Sequence, residues 1–419
     1  MRSLRLGPDF LARTSSVWIF FALIHAGFLA RLMPFILSGG VLSDINIYRG
    51  WAYQALDDGI WQGISTAWVY PTGAIVPIVA ATALGPELYQ LTWFGIFAAL
   101  NAAGTAALLR RGTPHGPRAA YWWLAATALL GPVAVGRLDG LTAPVVIVGI
   151  LLLAARPVLA SLLLSAATWV KVWPAAVVLA AVITCRSRLR IALAGAGLSA
   201  GIAVVVAVFG DLRNLTGFLG AQGARGMQLE APLSTPGVWQ AITGTSGAYF
   251  YEDKIINTME VRGALSGQVS ALMGPLLALA VLGTAALVAV GLRRGARPGP
   301  LLATASLALV TTLVVFNKVG SPQFMLWIAA AIAAGLVLDT AGGWRLPAAA
   351  MLLTAALTTL VYPIFYDELR YGLNPAVALL LTLRNLLVVG IFAWSVRRLW
   401  RMSRRTAGAP SRAGLPESA

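Results

Sequence analysis

Charge is the scarcest property of this chain. Asp, Glu, Lys and Arg supply 11% of its 419 residues, less than half the usual share in a soluble globular domain. With 58% hydrophobic residues and a mean hydropathy of +0.79, an ordinary soluble fold is excluded. Cysteine is reduced to Cys185, at the end of an apolar run, which rules out a disulfide framework and any cysteine-based metal site. The two histidines, His25 and His115, stand far apart, so a histidine cluster is excluded as well. Lysine is almost absent, with three against 28 arginines, a bias that reports on a GC-rich bacterial genome and not on function. The chain also lacks a Walker A motif, a GxGxxG in a strand–helix context and an HExxH motif, so neither nucleotide-driven transport nor zinc hydrolysis finds support. Driving force must then come from a membrane-soluble activated substrate or an ion gradient.

What is present is a series of long apolar runs. They predict an all-α, polytopic transmembrane bundle with about twelve spans, near 17–37, 88–109, 119–135, 140–155, 158–170, 172–184, 189–209, 273–292, 300–316, 323–339, 346–362 and 375–396. A polar arm, 1–16, precedes the transmembrane domain, 17–401, and an Arg- and Ser-containing tail, 402–419, follows; both are expected to be disordered and cytoplasmic. The first apolar run is too long for a cleavable signal and lacks a small-residue cleavage site. Basic residues gather at Arg2, Arg5 and Arg13, at Arg110, Arg111 and Arg118, at Arg186, Arg188 and Arg190, at Arg293, Arg294 and Arg297, and from Arg397 to Arg412. By the positive-inside rule these loops face the cytoplasm, and the net charge of +16 is topological, with no basic module for nucleic acid. Parity then makes 70–84, bounded by Pro71 and Pro86, a re-entrant or interfacial helix within a large first external loop, 38–87. The alternative keeps 70–84 as a span and fuses 158–184 into one kinked helix. In the preferred arrangement nearly all acids, every lysine and a second long loop, 210–272, lie on the outer face.

Polar residues at membrane depth are costly, so those that persist mark a cavity or a charged ligand. The stretch from Phe316 to Trp327, FNKVGSPQFMLW, places Asn317, Lys318, Ser321 and Gln323 between two apolar runs and suits an anionic or hydroxyl-rich ligand. Asp44, in LSDINIYRGW with Tyr48, is positioned to act as a general base or simply to cap a helix over 45–56. Asp139 in VGRLDGL reads first as a local ion pair with Arg137 or as a cap for 140–155. Lys171, between Trp169 and Trp173, requires an anion unless it snorkels beside tryptophans that anchor the interface. Arg225, Gln228 and Glu230 in ARGMQLEAP form a loop salt bridge or contact phosphate and sugar. Arg384, in the middle of a span, either pairs within the bundle or meets a lipid headgroup.

These residues resemble the GT-C superfamily of integral-membrane glycosyltransferases, and within it the bacterial polyprenol-phosphate-mannose-dependent mannosyltransferases of the phosphatidylinositol-mannoside type. Asp44 in SDINIYRG matches the acceptor base of that family. Tyr70-Pro71 before a short helix, Lys171 with Pro174, Lys318 to Phe324, and Arg225 to Glu230 match further elements in the expected order, covering 43 to 327. The resemblance implies an inverting transfer of a sugar, mannose by analogy, from a polyprenyl-phosphate donor to a glycolipid or cell-envelope glycan on the outer face of a bacterial cytoplasmic membrane. Lys171, Arg225 and Lys318 would bind the donor phosphate. Tyr48, Tyr70, Asp139, Gln228, Glu230 and Gln323 would contact substrate. Where several relatives carry Asp-x-Asp, this chain has Asp44-Ile45-Asn46, so a single carboxylate without a bound cation is expected and no cofactor is implied. The competing expectation is a flippase or transporter of a lipid-linked sugar; it calls for inverted repeats, and none is evident.

Overall fold

The computed structural model describes residues 13–110, 115–223, 225–254, 258–340 and 343–404. Most of the expected arm, 1–16, and of the expected tail, 402–419, lies outside these residues. The chain is overwhelmingly helical. In order, it forms α1 Thr14–Leu37, α2 Ile45–Asp57, α3 Ile75–Ala80, α4 Tyr89–Leu109, α5 His115–Leu130, α6 Pro132–Val135, α7 Leu138–Leu152, α8 Pro157–Val170, α9 Pro174–Thr184 and α10 Arg188–Phe209. There follow α11 Gly217–Gly223, α12 Thr235–Ile242, α13 Ser266–Arg293, α14 Pro298–Val315, α15 Met325–Leu338, α16 Arg345–Thr359, α17 Tyr366–Arg370 and α18 Pro375–Arg404.

Every expected span coincides with a helix, but the count of crossings is coarser than twelve. Among the described residues, seven helices are long and apolar enough to cross a membrane: α1, α4, α10, α13, α14, α16 with its extension to Ile364, and α18. The helices α7, α8, α9 and Pro322–Leu338 are shorter. Two of these are nonetheless among the most buried parts of the molecule, as α15 is closed to solvent over nearly its whole length and α7 almost so. Short helices can occupy that position because neighbouring helices, rather than water or lipid, surround them. By contrast α10 and α13 leave Leu193, Val204, Val208, Leu272, Leu279 and Leu282 exposed, as lipid-facing helices do.

One departure from an all-α reading lies in a loop. The loop between α10 and α13 contains an antiparallel hairpin, β1 Tyr249–Asp253 with β2 Thr258–Arg262, in which Tyr251 pairs with Glu260. Its alternating Tyr-Phe-Tyr and Met-Glu-Val residues suit a half-buried ribbon, and Met259 and Val261 pack with Met227 and Leu229. The segment 70–84 holds only a 3₁₀ turn, Thr72–Ala74, and α3. Nine helical residues reach about 13 Å, far short of the roughly 30 Å hydrocarbon thickness, which removes the alternative in which this run crosses. Nor are α8 and α9 one kinked helix, since Lys171 between them is fully extended at φ −147°, ψ 134°.

Junction contacts define two ends of the bundle. At one end the turns after α1, α6 and α16 meet through Asp44, Arg137 and Tyr362, and the turn after α14 meets the loop between α10 and α13 through Lys318, Arg225 and Gln228. At the other, Asp339 after α15 pairs with Arg398 of α18 and accepts the Trp344 indole N–H at 3.0 Å. The basic clusters at Arg110, Arg186 to Arg190 and Arg293 to Arg297 follow helices that run toward this second end.

Candidate functional site

Asp44 is the residue before α2, but its side chain caps nothing; its backbone carbonyl alone serves the helix, accepting from Tyr48 N–H at 3.0 Å. The preceding Ser43 sits at φ +51°, a left-handed conformation uncommon for a side chain of its kind. Such a backbone costs on the order of 1 kcal/mol or more, and here it turns Asp44 inward. The carboxylate forms an ion pair with Arg137, about 30% of the Asp44 side chain remaining exposed. The second guanidinium nitrogen of Arg137 donates to the Tyr362 hydroxyl at 3.0 Å. Arg137 therefore bridges α2 and the turn after α16, and the local Arg137–Asp139 ion pair expected from their spacing is replaced by a partner 93 positions away.

Asp139 is likewise not a cap. It lies in the first turn of α7, 1% exposed, where a negative charge is favoured by the helix dipole. Its Oδ1 accepts the Trp327 indole N–H at 2.6 Å, while Oδ2 has no hydrogen-bond donor and faces Lys171 Nζ at 3.6 Å. Lys171 also stands 4.4 Å from the centre of the Tyr70 ring, a cation–π contact. Tyr70 is brought there by α3 and its preceding turn, which approach the end of α8 so closely that a Cβ on Gly73 would lie 2.8 Å from the Trp169 carbonyl. Interfacial anchoring does not describe Trp173, which is buried, stacks on Trp327 at 5.6 Å and donates to Thr142 at 3.2 Å. Tyr48, also buried, packs edge-on against Tyr70 with centroids 6.3 Å apart.

The FNKVGSPQF stretch and the loop between α10 and α13 are stitched together. Lys318 Nζ donates to the Arg225 carbonyl at 3.2 Å, and Gln228 N–H donates to the Lys318 carbonyl at 2.9 Å. The Gln228 side-chain oxygen accepts from Gly320 N–H at 3.0 Å and from Ser321 at 3.2 Å. Gln228 thus acts on the loop rather than facing open space. Gly320 admits no side chain, since its Cβ would fall 2.2 Å from Ala231 N. Arg384 resolves the two readings left open for it: it is buried within the bundle, donating to the Glu230 carbonyl at 2.7 Å and to the Gly320 carbonyl at 3.1 Å. The Glu230 carboxyl, buried beside Tyr366 and Arg384, has no donor to Oε2, and burial raises it above the usual carboxylate range.

Arg225 presents a different environment. Its guanidinium makes no hydrogen bond to a described residue and lies within electrostatic reach of Tyr70, Glu260 and Asp253, and burial lowers its proton affinity. Gln323, half-buried in the turn Pro322–Phe324, makes no side-chain hydrogen bond to a described residue. Most of the other expected residues are linked in a chain: Asp44 pairs with Arg137, Arg137 lies in the fields of Asp139 and Glu230, Lys171 joins Asp139 to Tyr70, Tyr70 lies within electrostatic reach of Arg225, and the Arg225 carbonyl accepts from Lys318. Sequence reasoning assigned no site role to Arg137, Tyr362 or Tyr366. The polar run YPIFYDELRY after an apolar span was the available signal for the two tyrosines. Among the described residues no group of three or more His, Cys, Asp or Glu is gathered as metal ligands, and Asp44 and Asp139 each face a basic side chain instead. No protein-family model, curated protein or solved structure matches this chain.

Proposed function

We propose that the chain is an inverting membrane glycosyltransferase of the GT-C type that uses a polyprenyl-phosphate sugar. The observation that carries this reading is the convergence at one end of an apolar bundle of one partly exposed carboxylate, Asp44, with basic residues from separate junctions: Arg137, Lys171, Arg225 and Lys318. Such a site can divide the work of glycosyl transfer. Asp44 takes the proton from an acceptor hydroxyl, the acceptor oxygen attacks the anomeric carbon, and the bond from that carbon to the phosphate oxygen breaks. The bonding electrons leave with the polyprenyl phosphate. Cations positioned in a partly dry site stabilise that leaving charge more strongly than water does. Mannose is the proposed sugar, a glycolipid or envelope glycan the acceptor, and the outer face of a bacterial cytoplasmic membrane the location, with both termini inside.

Purified protein in detergent, given polyprenyl-phosphate mannose and a glycolipid acceptor, should form product. Sidedness is absent there, so product formation is incompatible with transport alone. Asp44→Asn should abolish turnover at normal expression, and activity should survive EDTA. Near-normal turnover in Asp44→Asn removes Asp44 as base, while loss in EDTA restored by a divalent ion returns Asp44 and Asp139 as metal ligands. A wild-type protein that turns over no donor but moves lipid-linked sugar across vesicles is a flippase.

A further inference from the structure

The base of the proposed reaction is not free in this structure. A carboxylate beside a guanidinium is a weaker proton acceptor than the same carboxylate alone, and Arg137 occupies Asp44 directly. Its pairing is therefore an obstacle to the chemistry unless something removes it.

Arg137 is built to be removed from Asp44 without leaving the site. One guanidinium nitrogen holds the Tyr362 hydroxyl at 3.0 Å while the other meets Asp44, so the first contact can persist as the second changes. Asp139 lies within electrostatic reach of Arg137, with Oδ1 already accepting from Trp327 and Oδ2 facing Lys171. Lys171 faces Asp139 at 3.6 Å, and Arg137 lies within electrostatic reach of the same carboxylate, so the two cations share one acidic neighbour. Asp44 keeps about 30% of its side chain exposed against 10% for Arg137, so solvent reaches the pair from the Asp44 side, and Asp44 engages one guanidinium nitrogen. A phosphate, in contrast, accepts two parallel bonds from a guanidinium fork.

We propose that Arg137 is an exchanging cation: it pairs with Asp44 in the unliganded protein and passes to the donor phosphate when the donor binds, freeing Asp44 only once a leaving group is in place. This rests on the donor-phosphate reading above. The consequence is an ordered reaction in which the acceptor is not deprotonated in the absence of donor.

The test measures binding of decaprenyl monophosphate, which lacks the sugar, to wild type, Asp44→Asn, Arg137→Gln and the double variant in detergent, with melting temperature on each preparation. Exchange predicts that Asp44→Asn binds roughly five- to tenfold tighter than wild type, because the competitor for Arg137 is gone. Arg137→Gln should bind more weakly, and adding Asp44→Asn to it should change nothing further. If Asp44→Asn tightens binding equally in both backgrounds, its effect is general charge repulsion and the exchange is overturned. Equal affinity of wild type and Asp44→Asn overturns it too. Failure of folded wild type to bind the phosphate overturns the donor reading and the exchange together, whereas binding without coupling overturns the exchange alone.

Discussion

Lys318 has a place in the framework and, in the proposed reaction, at the donor phosphate. Its ammonium donates to the Arg225 carbonyl, so it ties two loops while remaining at the cationic end of the site. Lys318→Met should remove a charge-assisted contact of about 1.5–3 kcal/mol, a loss of roughly 10- to 150-fold in donor use. Lys318→Arg should recover part of it, since a planar fork does not reproduce a compact ammonium. Unchanged donor affinity alongside a lowered melting temperature would leave Lys318 a purely structural role. Glu230 makes a prediction of another kind. Burial lifts its carboxyl above the ordinary 4.5, so the folded protein holds this proton more tightly than the unfolded chain. Its contribution to stability is full below 4.5 and declines as pH rises through the folded value. The melting temperature of wild type relative to Glu230→Gln should accordingly fall as pH rises above 4.5. Parallel curves would show that Glu230 ionises as it does in the unfolded chain.

At the scale of elements, α18 does more than fill a place in the bundle. Through Arg384 it holds the Glu230 and Gly320 carbonyls, and Asn385, the next residue, donates to Thr235 at 3.0 Å. Two loops that carry Lys318, Gln228 and Glu230 are thereby referred to one rigid helix. Arg384→Met would leave both carbonyls without a donor in a buried setting, at about 1–3 kcal/mol each. The expected result is a clear fall in melting temperature and in turnover, and Arg384→Lys should not rescue it because one ammonium lacks the fork that spans both carbonyls. A melting temperature within a degree or so of wild type would show that Gln228 and the close approach at Gly320 hold the loops unaided.

For the whole molecule, the two chemically distinct ends make sidedness measurable. In a Cys185→Ser background, Asp58→Cys and Arg294→Cys place thiols at exposed positions on opposite ends. An impermeant thiol reagent added to intact spheroplasts should label the first and not the second, with the reverse in inverted vesicles; labelling of both from one side would refute the proposed orientation. The sequence by itself determined the membrane class and the position of the long apolar helices, because hydropathy is a local property that a window of residues expresses fully. It also pointed to Asp44, Lys171, Arg225 and Lys318, since a polar residue beside an apolar span is conspicuous without any partner in view. The crossing count was less legible: a short apolar run reads alike whether it faces lipid or, as α7 and α15 do, other helices. Partnerships were not legible at all. Spacing alone suggested Arg137 with Asp139 and caps for both carboxylates, yet Arg137 pairs with Asp44, Asp139 with Lys171 and Trp327, and Arg384 with the backbone of two distant loops. Only the tertiary structure decided these, because a buried charge takes the partner that packing brings nearest, and packing here joins segments that lie far apart in the chain.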